Sequence, residues 1–204
     1  MKLHLASGNP GKAREMSALA AGSGGVVEII PAMLVGGLPR VNEDAGTFVG
    51  NARKKALALK ARLPGAAWVL ADDSGLCVDE LGGAPGVESA YYAGPSGDFA
   101  ANLRKLIERM RGVPAGRRQA HFVCVLVLAG PGGKELVFEE RVAGTLRDEP
   151  RGEAGFGYDP LFVPEGHHQT YAELSAAEKD RISHRGRAWA QLVTWVRAQT
   201  PGPA

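Results

Sequence analysis

Asp72 and Asp73 stand side by side at the end of a strand-like run, in the stretch "LADDSGLCVDELGGAPG". Adjacent like charges destabilise a fold unless a positive group lies close to them. The pair is therefore either a solvated turn or the holder of a cation. Neighbours on a strand point to opposite faces, so only one can enter a given pocket, and the other is tied to backbone or to a cation elsewhere. A carboxylate at the C-terminal edge of a buried α/β strand lies where such folds bind ligands. Mg²⁺ asks little of a protein: one or two carboxylates, with substrate phosphates and water completing its octahedron.

Four further stretches carry related chemistry. "SGNPGK" (Ser7, Gly8, Asn9, Pro10, Gly11 and Lys12) falls between a predicted strand and a predicted helix. Its glycines permit close approach to a ligand, the helix N-terminus offers unpaired N–H groups, and Lys12 adds a full charge. It is not a Walker A loop, because only two residues separate Gly8 from Gly11 and Ala13 follows the lysine. Phosphate binding and an ordinary glycine-rich βα turn both stay open on this pattern. In "NEDAGTFVGNARKKA", acidic Glu43 and Asp44 precede Arg53, Lys54 and Lys55. Successive helix residues face different ways, so at most two of these cations reach one site; a charge-balanced surface helix is the alternative. In "GFGYD", Phe156 between glycines suits either a ring that stacks on a planar ligand or the anchor of a turn. In "ISHRG", Ser183, His184 and Arg185 leave a single helix in successive directions and cannot form one triad. With no G-x-S-x-G elbow, serine hydrolase chemistry is disfavoured. The five histidines show no zinc spacing, and His167-His168 reads as surface.

These stretches need elements to hold them. "KLHLA" (2–6) reads as a strand, 11–21 as a helix and "VVEII" (26–30) as a second strand. A helix is expected over 47–62, and "AWVLA" (67–71) reads as a buried strand delivering Asp72 and Asp73 at its C-terminal end. Phe99, Leu103, Leu106, Ile107 and Met110 recur with the helical period. Residues 118–129 and 135–146, joined by "GPGGK", predict an antiparallel hairpin, followed by a short strand "LFV". Ser175 and Glu178 form a capping box that opens one last helix, buried through Ile182, Trp189, Leu192 and Val196, and the tail "TPGPA" cannot continue it. The order predicts an α/β fold with a mixed sheet, as one domain over 1–204.

Composition narrows the class. Of 204 residues 45% are apolar and 23% charged, which suits a globular core, and a net charge of +2 gives no reason to expect a nucleic-acid partner. Cys77 and Cys124 lie in apolar strand contexts without C-x-x-C spacing, as reduced cytosolic thiols do. No signal peptide is legible, and no apolar run is long enough for a membrane span. A soluble cytoplasmic protein is expected.

Taken in order, "SGNPGK", "AGTFVGNARKKA", "ADDSGLCVDELGGAPGVESAYYAG", "GFGYDPLFVPEG" and "LSAAEKDRISHRG" closely resemble the inosine triphosphate pyrophosphatase family over nearly the whole chain. The resemblance implies an elongated mixed α/β sheet flanked by helices, two lobes around a nucleotide-binding cleft, and a homodimer. It also implies Mg²⁺-dependent hydrolysis of non-canonical purine nucleoside triphosphates (dITP, ITP, XTP) to monophosphate and pyrophosphate, which cleanses the nucleotide pool. Ser7 to Lys12 match its triphosphate loop, and Asp73 matches its metal-binding, general-base aspartate. Ser74 matches a substrate contact, and Lys55 the lysine of the following helix motif. Phe156, Gly157, Tyr158, Asp159, Lys179, His184 and Arg185 match its base-recognition set. This chain departs from the pattern at Asn42 and Gly50, where the family carries glutamate. Glu43 is the assigned second metal ligand, with Asp44 the alternative. Three rivals differ from this reading. One is a related pyrophosphatase for pyrimidine or modified nucleotides, another a nucleotide-binding regulator without turnover, and the third a nucleic-acid module.

Overall fold

The structure is a computed structural model that describes residues 1–199; the expected stop at "TPGPA" lies outside the described residues. Among the described residues eleven α-helices and strands follow one another: β1 (Lys2–Ala6), α1 (Pro10–Ala21), β2 (Glu28–Pro31), α2 (Phe48–Lys60), β3 (Val69–Val78), α3 (Phe99–Arg109), β4 (Gln119–Ala129), β5 (Glu135–Leu146), β6 (Phe162–Pro164), α4 (Ala176–Ile182) and α5 (His184–Gln199). The strands form one open, mixed, six-stranded sheet in the order β2-β1-β3-β4-β5-β6. β1 runs parallel to both β2 and β3, with Lys2 opposite Glu28 and His4 opposite Val69, whereas β6 runs antiparallel to β5. β4 and β5 are neighbours joined by a short turn, and a connection this short permits only an antiparallel pair.

The chain divides into two compact units. One comprises Met1–Asp73, Cys124–Glu140 and the segment from Arg185 onward; the other comprises Ser74–Val123 and Arg141–His184. The first has its own core of Leu3, Leu5, Met16, Leu70, Leu126 and Leu128 under α5 residues Trp189, Leu192 and Val196. The second is built around Leu76, Leu106, Met110, Phe122, Phe162 and Tyr171. β3, β4 and β5 each continue along the chain from one unit into the other.

Two features correct the sequence reading. β3 does not end before the carboxylates: it runs on through Asp72, Asp73, Ser74 and Gly75 to Val78, and both aspartates are buried. A strand with buried residues in succession suits the interior of a sheet, and the cations described below let it carry charge there. The last helix is also not continuous. Ser183 adopts an extended conformation (φ −69°, ψ 156°), which ends α4 and starts α5 afresh at His184. The expected capping box at Ser175 and Glu178 is formed. Among the described residues no helix is long and apolar enough to cross a membrane.

Candidate active site

The loop that leaves β1 is fixed by its own side chains. Asn9 is the N-cap of α1: its Oδ1 accepts hydrogen bonds from the N–H groups of Gly11 (2.9 Å) and Lys12 (3.1 Å), and Pro10 follows with no donor to satisfy. Ser7 Oγ accepts from Asn9 N–H at 3.2 Å. The helix-terminal donors expected to meet a phosphate are thus engaged by Asn9, because capping satisfies the same orphan N–H groups that an anion would use. Gly8 is exposed, and a Cβ placed on it would meet nothing within 4 Å, so the loop stays open to close approach there.

From the end of this loop, Lys12 reaches a deeply buried carboxylate. Asp72 has no exposed side-chain surface and pairs with the Lys12 ammonium. Its Oδ2 also accepts from Arg185 Nε at 3.1 Å and from the Cys124 thiol at 3.3 Å. Arg185, equally buried, pairs in turn with Glu15 on α1. Burial alone would raise the Asp72 pKa, but Lys12 and Arg185 outweigh it and hold the carboxyl well below the ordinary range. Burial likewise opposes the Arg185 charge, which Asp72 and Glu15 hold above its usual pKa.

Asp73 faces different partners. Lys55 of α2 places its ammonium 2.7 Å from Asp73 Oδ1 and 2.8 Å from Glu43 Oε2, with the lysine almost wholly buried. Burial pushes Asp73 up to about 6 against the pull of Lys12 and Lys55, and the charge of Glu43 adds to the rise. Glu43 is also penalised by burial, but Lys55 prevails and keeps it below the ordinary value. Burial works against the Lys55 charge as well, yet Asp73 and Glu43 together hold its pKa above normal. Asp44, by contrast, turns outward to pair with Lys54. At Gly50 a Cβ would lie 2.6 Å from Ala45 Cβ and 2.8 Å from Thr47 Oγ1, so the chain from Ala45 to Thr47 packs where a longer residue would begin.

The donor set can be tested for a metal. Among the described residues no cluster of three or more His, Cys, Asp or Glu side chains is arranged as a protein-only cage. Asp73 Oδ2 is nevertheless buried without a hydrogen-bond partner, and Glu43 supplies a second carboxylate at the same lysine. Two hard oxygen donors with substrate phosphates completing the shell fit a small divalent cation.

The remaining sequence-predicted residues, apart from Arg185, belong to the second unit. Asp159 Oδ2 accepts from the Phe156 N–H at 2.8 Å and from Lys179 Nζ at 2.6 Å. Gly155 is required next to it: its φ is 75°, and a Cβ there would strike Asp159 Oδ2 at 2.1 Å. The Phe156 ring is half-buried, with Lys179 Nζ 5.3 Å from its centroid and the Phe99 ring 5.6 Å away. Gly157 also takes a left-handed φ of 66°. Tyr158 lies in the core and its hydroxyl donates to the Ser89 carbonyl at 2.9 Å. His184 is buried, stacked on Phe122 with centroids 4.6 Å apart and planes 5° from parallel. Ser74, half-buried, follows Asp73 on β3.

Sequence reasoning missed Glu15 and the contacts that Cys124 and Phe99 make. Glu15 lies three residues after Lys12 on α1, a spacing that puts both on one helix face. Nothing in the sequence singles out the partners of Cys124 and Phe99.

The Ham1 family model matches residues 3–195 of this chain. A dITP/XTP pyrophosphatase of Opitutus terrae is 59% identical over 201 residues, covering 97% of this chain and 99% of that protein. The solved structure of a HAM1 protein from Coxiella burnetii superposes with a TM-score of 0.84 at 37% identity, over 97% of this chain and 99% of that one. The crystal structure of the nucleoside-triphosphatase (dITP/XTP pyrophosphatase) from Mycobacterium abscessus gives a TM-score of 0.73 at 44% identity, over 94% and 97% of the two chains. The names carried by these relatives agree with the resemblance drawn from the motifs. A family match across nearly the full length, with relatives of almost equal extent, establishes that this chain belongs to the Ham1 family.

Proposed function

We propose that this protein hydrolyses dITP, ITP and XTP to the monophosphate and pyrophosphate, with Mg²⁺ as cofactor, and so cleanses the cytoplasmic nucleotide pool. The observation that carries the reading is the Lys55 ammonium shared by Asp73 and Glu43, next along β3 to the Asp72 that engages Lys12. Two lysines and two carboxylates suit a polyphosphate bound with a divalent cation, and relatives named dITP/XTP pyrophosphatase support the substrate class.

Asp73 and Glu43 are the residues that would hold Mg²⁺, which supplies Lewis-acid neutralisation of phosphate charge when bound. Lys12 and Lys55 take polyphosphate oxygens, with Ser7, Gly8, Asn9, Pro10 and Gly11 shaping the loop around them. Asp73 accepts a proton at its carboxylate from the water that attacks the α-phosphorus. The bond from that phosphorus to the α–β bridging oxygen breaks, and the two lysines offset the charge of the departing pyrophosphate. Ser74 is a further substrate contact. Phe156 is the stacking ring for the base, with Gly157, Tyr158, Asp159, Lys179 and His184 forming and supporting its pocket. Arg185, oriented by Asp72 and Glu15, donates to the O6 acceptor that hypoxanthine and xanthine present and adenine lacks. Guanine shares O6, so its rejection rests on its 2-amino group meeting no acceptor or no room. A site built on such hydrogen bonds discriminates by roughly 10⁴–10⁵-fold, because the wrong partner leaves buried groups unpaired.

A substrate panel tests this directly. Purified protein with Mg²⁺ is offered dITP, ITP, XTP, GTP, ATP and dTTP, and pyrophosphate and orthophosphate are both assayed. Pyrophosphate from the first three alone is expected. Orthophosphate would move attack to the terminal phosphate, and binding of dITP without turnover would leave a nucleotide-binding regulator, the reading that the missing carboxylates at Asn42 and Gly50 favour.

A further inference from the structure

Phe99 occupies a position that core packing does not account for. Phe99, Leu103 and Leu106 follow one face of α3 and Met110 stands at its C-cap; Leu106 and Met110 are buried in the core of their unit. Leu103 packs against that core from its edge. Phe99, one turn earlier, lies outside the cluster and keeps 36% of its surface exposed. As the margin of a helix stripe, an aliphatic or polar side chain would serve equally. What an aromatic ring adds is its contact with Phe156, at 5.6 Å between centroids with the planes inclined at 41°. That is the range in which aromatic pairs attract beyond simple burial.

Both rings have fixed backbones. Asp98 caps α3, accepting from the N–H groups of Ala100 (2.8 Å) and Ala101 (3.2 Å), so Phe99 enters a set helix turn. Phe156 is held at its N–H by Asp159, which Lys179 secures in turn. The backbone anchor leaves ring orientation to its neighbours. We propose that Phe99 is a positioning residue for base binding: it braces the Phe156 ring so that the stacking surface meets a purine already oriented. This rests on the reading of Phe156 as the stacking ring. Holding a binding group in its bound geometry strengthens binding by lowering the ordering cost, without a new contact to the ligand.

The experiment uses the full chain with Phe99→Ala, Phe99→Leu, Phe99→Tyr and Phe156→Ala. KM and kcat are measured for ITP, and inhibition by inorganic tripolyphosphate reports phosphate binding without a base. Phe99→Ala and Phe99→Leu are expected to raise KM by roughly 3–10-fold with kcat retained and tripolyphosphate inhibition unchanged, and Phe99→Tyr to restore KM. Wild-type KM in Phe99→Ala or Phe99→Leu would overturn the brace. So would a KM rise matched by weaker tripolyphosphate inhibition, which would mark general distortion. Phe156→Ala separates the two ideas: if it leaves KM unchanged, the stacking reading itself falls. If it raises KM while the Phe99 variants do not, only the brace falls.

Discussion

Asp72 is the residue on which the first unit concentrates charge, and its loss should be felt as stability. Replacing it with alanine leaves the Arg185 and Lys12 charges buried without their shared carboxylate. Breaking a buried ion pair from one side costs about 3–5 kcal/mol, so urea unfolding of Asp72→Ala should show a loss of that order. A loss below about 1 kcal/mol would mean that both cations find other partners. The adjacent aspartates could be singled out in the sequence because like charges demand an explanation. Their opposite facing was equally legible, and the structure gives Asp72 and Asp73 separate main partners. Which cation each would take was not legible, since Lys12, Lys55 and Arg185 come from three helices distant in sequence.

Among the elements, α2 and the segment before it bear most directly on the acidic loop. Alanine at Gly50 would gain about 1 kcal/mol of helix propensity. Its Cβ would also lie 2.6 Å from Ala45 Cβ and 2.8 Å from Thr47 Oγ1, so the segment before α2 would have to shift. Overpacking costs about 1–3 kcal/mol, so Gly50→Ala should be net destabilising by about 1 kcal/mol in chemical denaturation, and unchanged or raised stability would show that the segment yields freely. Most elements could be read from period and caps: β1, β5 and the α3 stripe fall where alternation and helical spacing put them. β3 was cut short in that reading because charged residues look like a strand end until their counter-ions are known. The break at Ser183 was hidden for another reason. Neither proline nor glycine marks the residue itself, and apolar periodicity continues on both sides.

At the scale of the whole molecule, the expected homodimer is open to test. Met33 and Leu34, on the short turn Ala32–Val35 after β2, are 87% and 76% exposed, and a second chain would offer them cover. Light scattering at micromolar concentration should return twice the 21.4 kDa chain mass, and a monomer would overturn the homodimer that the resemblance implies. The α/β class followed from the alternation of elements. The partition into two units did not follow from that alternation, because each unit is assembled from stretches far apart in the chain; two lobes were expected only from the family resemblance. That discontinuity governs how the protein can be made. The ribosome delivers α5 after every other described element, and with it Arg185. A nascent chain that already contains the loop after β1, β3 and the whole second unit still presents Asp72 with Lys12 but without its guanidinium partner. Completion of the first unit must wait for the emergence of α5, so the earliest made of the described segments are among the last to settle.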